Sequence, residues 1–218
     1  NHPNVVFAAK HIIKLGANLI TIHLREDRRH IKDLDLQNLC KLNQVPINLE
    51  MAANNKMLKI ALKNKPEFVC IVPEKRKEVT TEGGLRLKKN FYNLKKIVAS
   101  LNKNKIRTSL FINPNINDIK LSKKINASCV ELHTGKLSRK IKSNKYYKNE
   151  LKKIILCSKL ASKYGIEVHA GHGMDYKTAK ILSKVKEIKE FNIGHFIVGE
   201  SIFFGLKDVI KKLKTICS

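Results

Sequence analysis

No tryptophan occurs in this chain of 218 residues, and only 6% of it is aromatic. Proteins that hold single-stranded nucleic acid stack its bases on aromatic side chains, so the scarcity argues against that class despite a formal net charge of +26. Carboxylates are few, 18 against 44 lysines and arginines, and the basic side is 37 lysines to 7 arginines. Lys, Asn and Ile together exceed a third of the chain, the usage an AT-biased coding sequence favours. The lysines are scattered over predicted helix faces instead of gathered in one tract. A basic nucleic-acid-binding protein therefore stays a secondary reading, although the field would draw in small anions. The five cysteines, Cys40, Cys70, Cys129, Cys157 and Cys217, include no C-x-x-C pair, which argues against a disulfide framework and for a reducing cytoplasm. No run approaches the ~18 apolar residues of a membrane span, and no signal-peptide pattern is read. No G-x-G-x-x-G follows a strand, so the dinucleotide fingerprint is missing as well.

What the chain does carry is a dense polar stretch straight after an apolar one. Leu19-Ile20-Thr21-Ile22 reads as a short buried strand, and it runs into His23, Arg25, Glu26, Asp27, Arg28, Arg29 and His30. Strands of α/β enzymes present their sites by delivering such groups at the carboxyl end. A solvated charged loop is the plainer alternative. It weakens because the pattern recurs along the chain.

Helical periodicity from Pro3 to Gly16 and over about 35–42, 56–63, 92–102, 116–124, 148–164, 176–184 and 203–213 alternates with strand-like runs at 19–22, 46–51, 68–72, 108–112, 129–135, 166–170 and 190–195. That rhythm predicts a parallel sheet with right-handed crossovers. The expected fold is an α/β (β/α)8 TIM barrel in a single domain over 1–218, lacking its opening strand, because the sequence starts on the helix that would follow one. An open doubly wound sheet is the alternative.

On this scheme the polar residues fall at strand carboxyl ends: His23 and Arg25; Glu50; Glu74 with Thr80 and Thr81; Glu131 and His133; His172; and His195. In a closed barrel those positions converge on one mouth. Any single histidine is more often a satisfied core residue, but four strands ending in histidine point to a shared site. Gly171-His172-Gly173 and Gly194-His195 close the last two strands, where barrels often bind phosphate through backbone N–H groups and a helix N-terminus. Glycines that merely turn tight corners are the bland alternative. His23, His133, His172 and His195 with Glu50 and Glu131 could also ligate zinc, as in a metal-dependent barrel hydrolase or aldolase. Against that, no H-x-H pair sits at the first two strands.

Seven blocks then carry a resemblance. HLREDRRHI (23–31), NLEMA (48–52), VCIVPEKRKEVTTEGGL (69–85), SLFINP (109–114), VELHTG (130–135), AGHGMDY (170–176) and FNIGHFI (191–197), in that order, closely resemble the pyridoxine 5′-phosphate synthase family of the deoxyxylulose-dependent vitamin B6 pathway. The resemblance covers practically the whole chain. It implies an octameric (β/α)8 barrel, a transferase that condenses 3-amino-1-hydroxyacetone phosphate with 1-deoxy-D-xylulose 5-phosphate. The products would be pyridoxine 5′-phosphate, inorganic phosphate and water, with no metal or organic cofactor. By similarity His23 and Glu50 are bases, His172 is the acid, and Glu131 orients or charges His172. Arg25 and His30 would hold the deoxyxylulose phosphate and Thr80 would lie in a closing loop. Gly173, Gly194 and His195 would bind the amino-ketone and its phosphate.

Three departures stand out. The family's opening strand, with an Asn-x-Asp-His segment and a nearby Arg, has no counterpart here, and little or no activity is expected of the chain without it. His169 stands where the family usually has Asn before AGHG, and Glu200 where Arg is common. Glu200, close to the last phosphate cradle, would weaken anion binding there.

Overall fold

In the structure, a computed structural model, residues 4–42, 45–74 and 83–218 are described. In chain order the elements are α1 (Val5–Lys14), β1 (Ile20–His23), α2 (Asp33–Cys40), β2 (Ile47–Ala52), α3 (Asn55–Asn64), β3 (Phe68–Val72), α4 (Phe91–Lys103), β4 (Arg107–Ile112), α5 (Ile116–Ile125), β5 (Cys129–His133), α6 (Gly135–Lys142), α7 (Lys148–Lys163), β6 (Glu167–Gly171), α8 (Tyr176–Leu182), β7 (Ile188–Asn192), α9 (His195–Phe204) and α10 (Leu206–Cys217). All neighbouring strands pair in parallel, in the spatial order β1-β2-β3-β4-β5-β6-β7. Strictly sequential order leaves no switch point of the kind a doubly wound sheet has. The sheet curls instead into a TIM-like α/β barrel form, and its two outer strands meet: Thr21 Oγ1 on β1 donates to Asn192 Oδ1 on β7 at 2.9 Å.

Alternation along each strand separates two environments. Ile22, Leu49, Met51, Val69, Ile71, Leu110, Val130 and Val168 point outward and join Leu36, Met57, Leu94, Ile97 and Ile154 of the helices in one continuous apolar core. The inward-facing set is mostly polar, and its apolar part is the small cluster of Cys70, Val72 and Phe111. Folding energy thus comes mainly from the sheet–helix layer, at roughly 25 cal/mol per Å² of apolar surface buried. The interior is left for chemistry.

Local chemistry sets several boundaries. Asn4, Asn54, Asn115 and Asp175 cap α1, α3, α5 and α8 by accepting backbone N–H groups. The helices and strands fall close to the expected ranges, with two differences. α6 has no counterpart in the periodicity, because Gly135-Lys136-Leu137-Ser138-Arg139-Lys140-Ile141-Lys142 looks like a polar loop. Only Leu137, Ser138 and Ile141 carry its buried stripe, along with Gly135. The other is α9, which lies almost wholly before the expected closing helix over 203–213; Gly205 at φ +76° breaks it from α10, and a glycine tolerates that conformation without strain. No helix of the described residues is long and apolar enough to cross a membrane.

The segment leading out of the β3–α4 connection is anchored on the end of β4. Leu85 N–H donates to Phe111 O at 2.8 Å and Gly84 N–H to Asn113 Oδ1 at 3.2 Å. A Cβ on Gly84 would lie 2.2 Å from the Asn113 nitrogen and 2.5 Å from the Ile112 carbonyl carbon. Gly84→Ala is therefore expected to destabilise the protein by at least about 1–3 kcal/mol, the usual cost of forced overpacking. Urea unfolding checks this, and an unchanged midpoint would show that the two backbones need not approach so closely.

Candidate active site

The parallel register sets His23 of β1 directly beside Glu50 of β2. His23 Nδ1 lies 3.6 Å from Glu50 Oε2, and His23 Nε2 lies 3.5 Å from Glu74 Oε2, just beyond β3. Glu74, only 3% exposed, also accepts the Glu26 backbone N–H at 2.9 Å and stands 3.9 Å from Arg25 Nε. The polar stretch after β1 is thus folded back over the ends of β2 and β3 by one buried carboxylate. Burial, helped by the positive fields of Arg25 and His30, pushes the His23 imidazole down to about 4. Burial pushes the Glu50 carboxyl the other way, up to about 7, although 22% of its side chain still reaches solvent at the mouth. His23 is consequently neutral at physiological pH, and Glu50 titrates there. Arg25 is buried and His30 exposed.

On the far wall Glu131 sits at mid-strand in β5, 2% exposed. Asn192 Nδ2 donates to its Oε2 at 3.0 Å and Cys70 Sγ approaches the same oxygen at 3.7 Å. Burial, then the charges of Glu50 and Glu190, hold the Glu131 carboxyl well above the usual range. Asn192 is itself tied to Thr21, which accepts Asn48 Nδ2 at 3.3 Å. A side-chain relay therefore runs from β2 through β1 and β7 to β5 across the interior.

His172 follows β6 at φ +76°, a left-handed conformation that costs a bulky residue of order 1–3 kcal/mol. Thr134 holds that turn: its N–H and hydroxyl reach Gly171 O at 2.9 Å, and the hydroxyl lies 2.7 Å from His172 O. A Cβ on Gly171 would run into Glu131 Oε1, so any larger residue there would displace that carboxylate. Glu131 thereby supports the strand end from which His172 departs. The His172 ring packs at 4.8 Å on that of His133, which stands edge-on to Phe111 at 5.4 Å. Burial, then the positive field of His172, brings His133 down to about 4.

Register also sets Gly171 beside Asn192, so the loops carrying His172 and Gly194 leave the same end of adjacent strands. Gly173, at φ +76°, and the exposed pair Gly194 and His195 lie there. Gly194 caps α9 without a side-chain partner for the helix N–H groups, the arrangement that accepts an anion. Thr80, expected in the closing loop, lies outside the described residues. Among the described residues the group close enough to share a metal ion is Cys129, Glu167 and His169, within 4.8 Å of one another. These line the opposite, amino-terminal half of the strands, where Arg107 Nη2 already reaches Cys129 Sγ at 3.3 Å and Glu167 Oε1 at 3.2 Å.

Sequence reading overlooked Thr21, Asn48, Thr134, Glu190 and Asn192. The signal lay in the two-residue period: Thr21 and His23, Asn48 and Glu50, Glu190 and Asn192 share the inward face of their strands. Removing Asn192 would strip Glu131 and Thr21 of a buried partner at once. Asn192→Ala should cost about 1–3 kcal/mol per group left unsatisfied. Chemical denaturation measures it, and a loss below half a kcal/mol (~0.5) would mean that water replaces the amide.

Three comparisons bear on what this mouth belongs to. The pyridoxine 5′-phosphate synthase of Pelagibacter ubique (strain HTCC1062) is 62% identical over 215 residues, covering 99% of this chain and 90% of that protein. The synthase of the same name from Zymomonas mobilis is 49% identical over 213 residues, 98% of this chain and 82% of that protein. Among solved structures, 3-hexulose-6-phosphate synthase superposes with a TM-score of 0.67 at 10% identity over 98% of this chain and 93% of that one. The phosphoribosylanthranilate isomerase of Thermotoga maritima gives 0.60 at 12% identity, covering 97% and 93%. Those two share the fold alone. The family model described as pyridoxal phosphate biosynthesis protein PdxJ matches residues 1–218, and with relatives this similar along their length the chain belongs to that family of vitamin B6 biosynthetic enzymes.

Proposed function

We propose that this chain condenses 3-amino-1-hydroxyacetone phosphate with 1-deoxy-D-xylulose 5-phosphate to give pyridoxine 5′-phosphate, inorganic phosphate and water by acid–base catalysis. The observation that carries the reading is the pairing at one mouth of a neutral imidazole, His23, with a carboxyl, Glu50, whose pKa is raised to about 7. Joining an amine to a ketone, expelling phosphate and closing an aromatic ring all require protons to leave carbon and nitrogen and arrive on oxygen. A base that is free at neutral pH and a carboxyl that exchanges its proton there suit that traffic.

In this reading His23 and Glu50 accept protons, and His172, carried on a fixed turn, delivers one to a departing oxygen. Glu131 acts through the Gly171 strand end and helps orient His172. Arg25 and His30 draw the phosphate of the five-carbon substrate, Arg25 by charge-assisted hydrogen bonds. The second phosphate lies against Gly173, Gly194 and His195 at the amino end of α9, and Thr80 belongs to the loop that shuts out water. No metal or organic cofactor takes part. The enzyme works in the cytoplasm, consistent with five free cysteines, and as a homo-octamer. α9 supports self-association because Val198, Ile202, Phe203 and Phe204 are 62–80% exposed, a patch monomers seldom leave bare.

With Glu50 as a base, the enzyme is inactive while that carboxyl is protonated. The rate should rise as pH passes about 7 rather than near the 4.5 of a free glutamic acid. His23, titrating at about 4, adds no limb near neutrality. A pH profile of kcat/KM on the full-length protein, following pyridoxine 5′-phosphate, reads this directly. Glu50→Gln should lower kcat about 10²–10⁴-fold and abolish the limb. A profile flat from pH 5 to 8, or unaltered in the variant, would remove Glu50 from the role. Failure of the full-length enzyme to make the product would remove the whole reading.

His172→Gln should lower kcat by a similar ~10²–10⁴-fold while sparing substrate binding. Thr134→Val, which keeps the shape but loses the hydroxyl that holds the turn, should lower kcat less and leave the pH limb in place. Steady-state kinetics separate the two. Equal losses in KM alone would make His172 a binding residue.

A further inference from the structure

A cavity of about 320 Å³ opens beside the mouth between the β4–α5 loop, α6 and α7, and His133, Asn113, Asn115, Lys136, Glu150 and Lys153 line it. We propose that it is a separate anion site, taking a tetrahedral oxyanion such as phosphate. It lies on the β4–β5 side, whereas the phosphate cradles proposed above follow β6 and β7.

Three observations converge on that chemistry. His133 is 5% exposed, and its Nε2 is buried without a hydrogen-bond partner among the described residues. A buried polar atom left unpaired costs about 1–3 kcal/mol, which a ligand on this wall would recover. Next, α6 begins at the cavity, with Lys136 and Leu137 of its first turn in the lining. Its N-cap residue Thr134 makes no capping bond, because the hydroxyl serves Gly171 and His172 instead. The first N–H groups of α6 are thus left for a ligand, at the positive end of the helix dipole. Finally, the charge balance favours an anion. The lining carboxylate, Glu150, is ion-paired at 3.3 Å with both Lys140 and Lys153. Lys136 has no carboxylate partner among the described residues and, with Arg139, sets a positive field at His133.

The site has a consequence for the reaction, resting on the function proposed above. His133 packs on His172, so an anion here would lie one ring away from the acid and its charge would act on both imidazoles. Inorganic phosphate, a product of that reaction, would then act on the acid from behind its ring.

The test is histidine-resolved NMR of the full-length, ¹³C-histidine-labelled protein titrated with inorganic phosphate. His133 is identified by the signal lost in His133→Asn and corroborated by its proximity to the Phe111 ring. The expected result is a saturable shift of the His133 resonance, weakened at least tenfold by Lys136→Ala and to a smaller degree by Lys153→Ala. Both are exposed side chains whose removal leaves the core intact. The His195 resonance monitors the other cradle. Should it move while His133 stays still, this site is overturned and the proposed function stands. If His133 saturates with the Lys136 dependence but no pyridoxine 5′-phosphate forms, the site stands and the function falls. A His133 shift identical in Lys136→Ala also overturns the site. Glycerol 3-phosphate in place of phosphate distinguishes sources: equal affinity marks a site for any phosphomonoester, weaker affinity one for the free ion.

Discussion

The structure depends on a relay of side-chain hydrogen bonds through the middle of the sheet, from Asn48 to Thr21, from Thr21 to Asn192, and from Asn192 to Glu131. Twist and the outer helices curl the seven parallel strands, and this relay fixes how far the curl closes by tying β1 to β7. The relay spans the gap between the two outer strands and ends on a buried carboxylate. An isolated carboxylate in such a place would be prohibitively expensive, and this one is tolerated because its pKa rises and an amide donates to it. Three carboxylates, Glu50, Glu131 and Glu190, feel one another inside the same barrel. Burial and the two neighbouring charges together favour the protonated form of Glu131, so the barrel interior holds a proton there as a result of its own geometry.

Stability and chemistry are kept on opposite faces of the strands. The outward residues make an uninterrupted apolar layer with the helices, which supplies most of the folding energy and leaves the inward positions free to be polar. That freedom shows at His172. A histidine at φ +76° is a local cost, and it persists only because Thr134 grips the turn and Gly171 lets Glu131 lie flat against the strand. The strain is displaced from the sheet to the one loop whose side chain must face the mouth.

Much of this was legible beforehand. Short β-branched runs ending in His23, Glu50, His133 and Gly171 state both a strand and its functional end, because a parallel barrel aims every carboxyl end the same way. The inner relay was not read, since Asn48, Thr21 and Asn192 look in sequence like ordinary polar residues. Their importance comes from register, and pairing partners 171 positions apart, as Thr21 and Asn192 are, leave no local trace. Helix α6 stayed hidden for a different reason. Its stripe is narrow and its other positions are lysine and arginine, so periodicity alone could not distinguish it from a solvated loop.

That hidden helix changes how the β5 end should be understood. Had a loop followed His133, Thr134 would be one more turn residue and His133 a packing ring. Because a helix starts there, Thr134 occupies an N-cap position yet spends its hydroxyl on the neighbouring strand end. The choice exchanges about 1 kcal/mol of helix capping for a fixed His172. The same choice leaves the first N–H groups of α6 without a capping side chain, beside a cavity that His133 and Lys136 line. One threonine thus links the positioning of the acid to a second place where an anion can bind. The two cannot vary independently: a substitution that restored a cap on α6 would release the His172 turn.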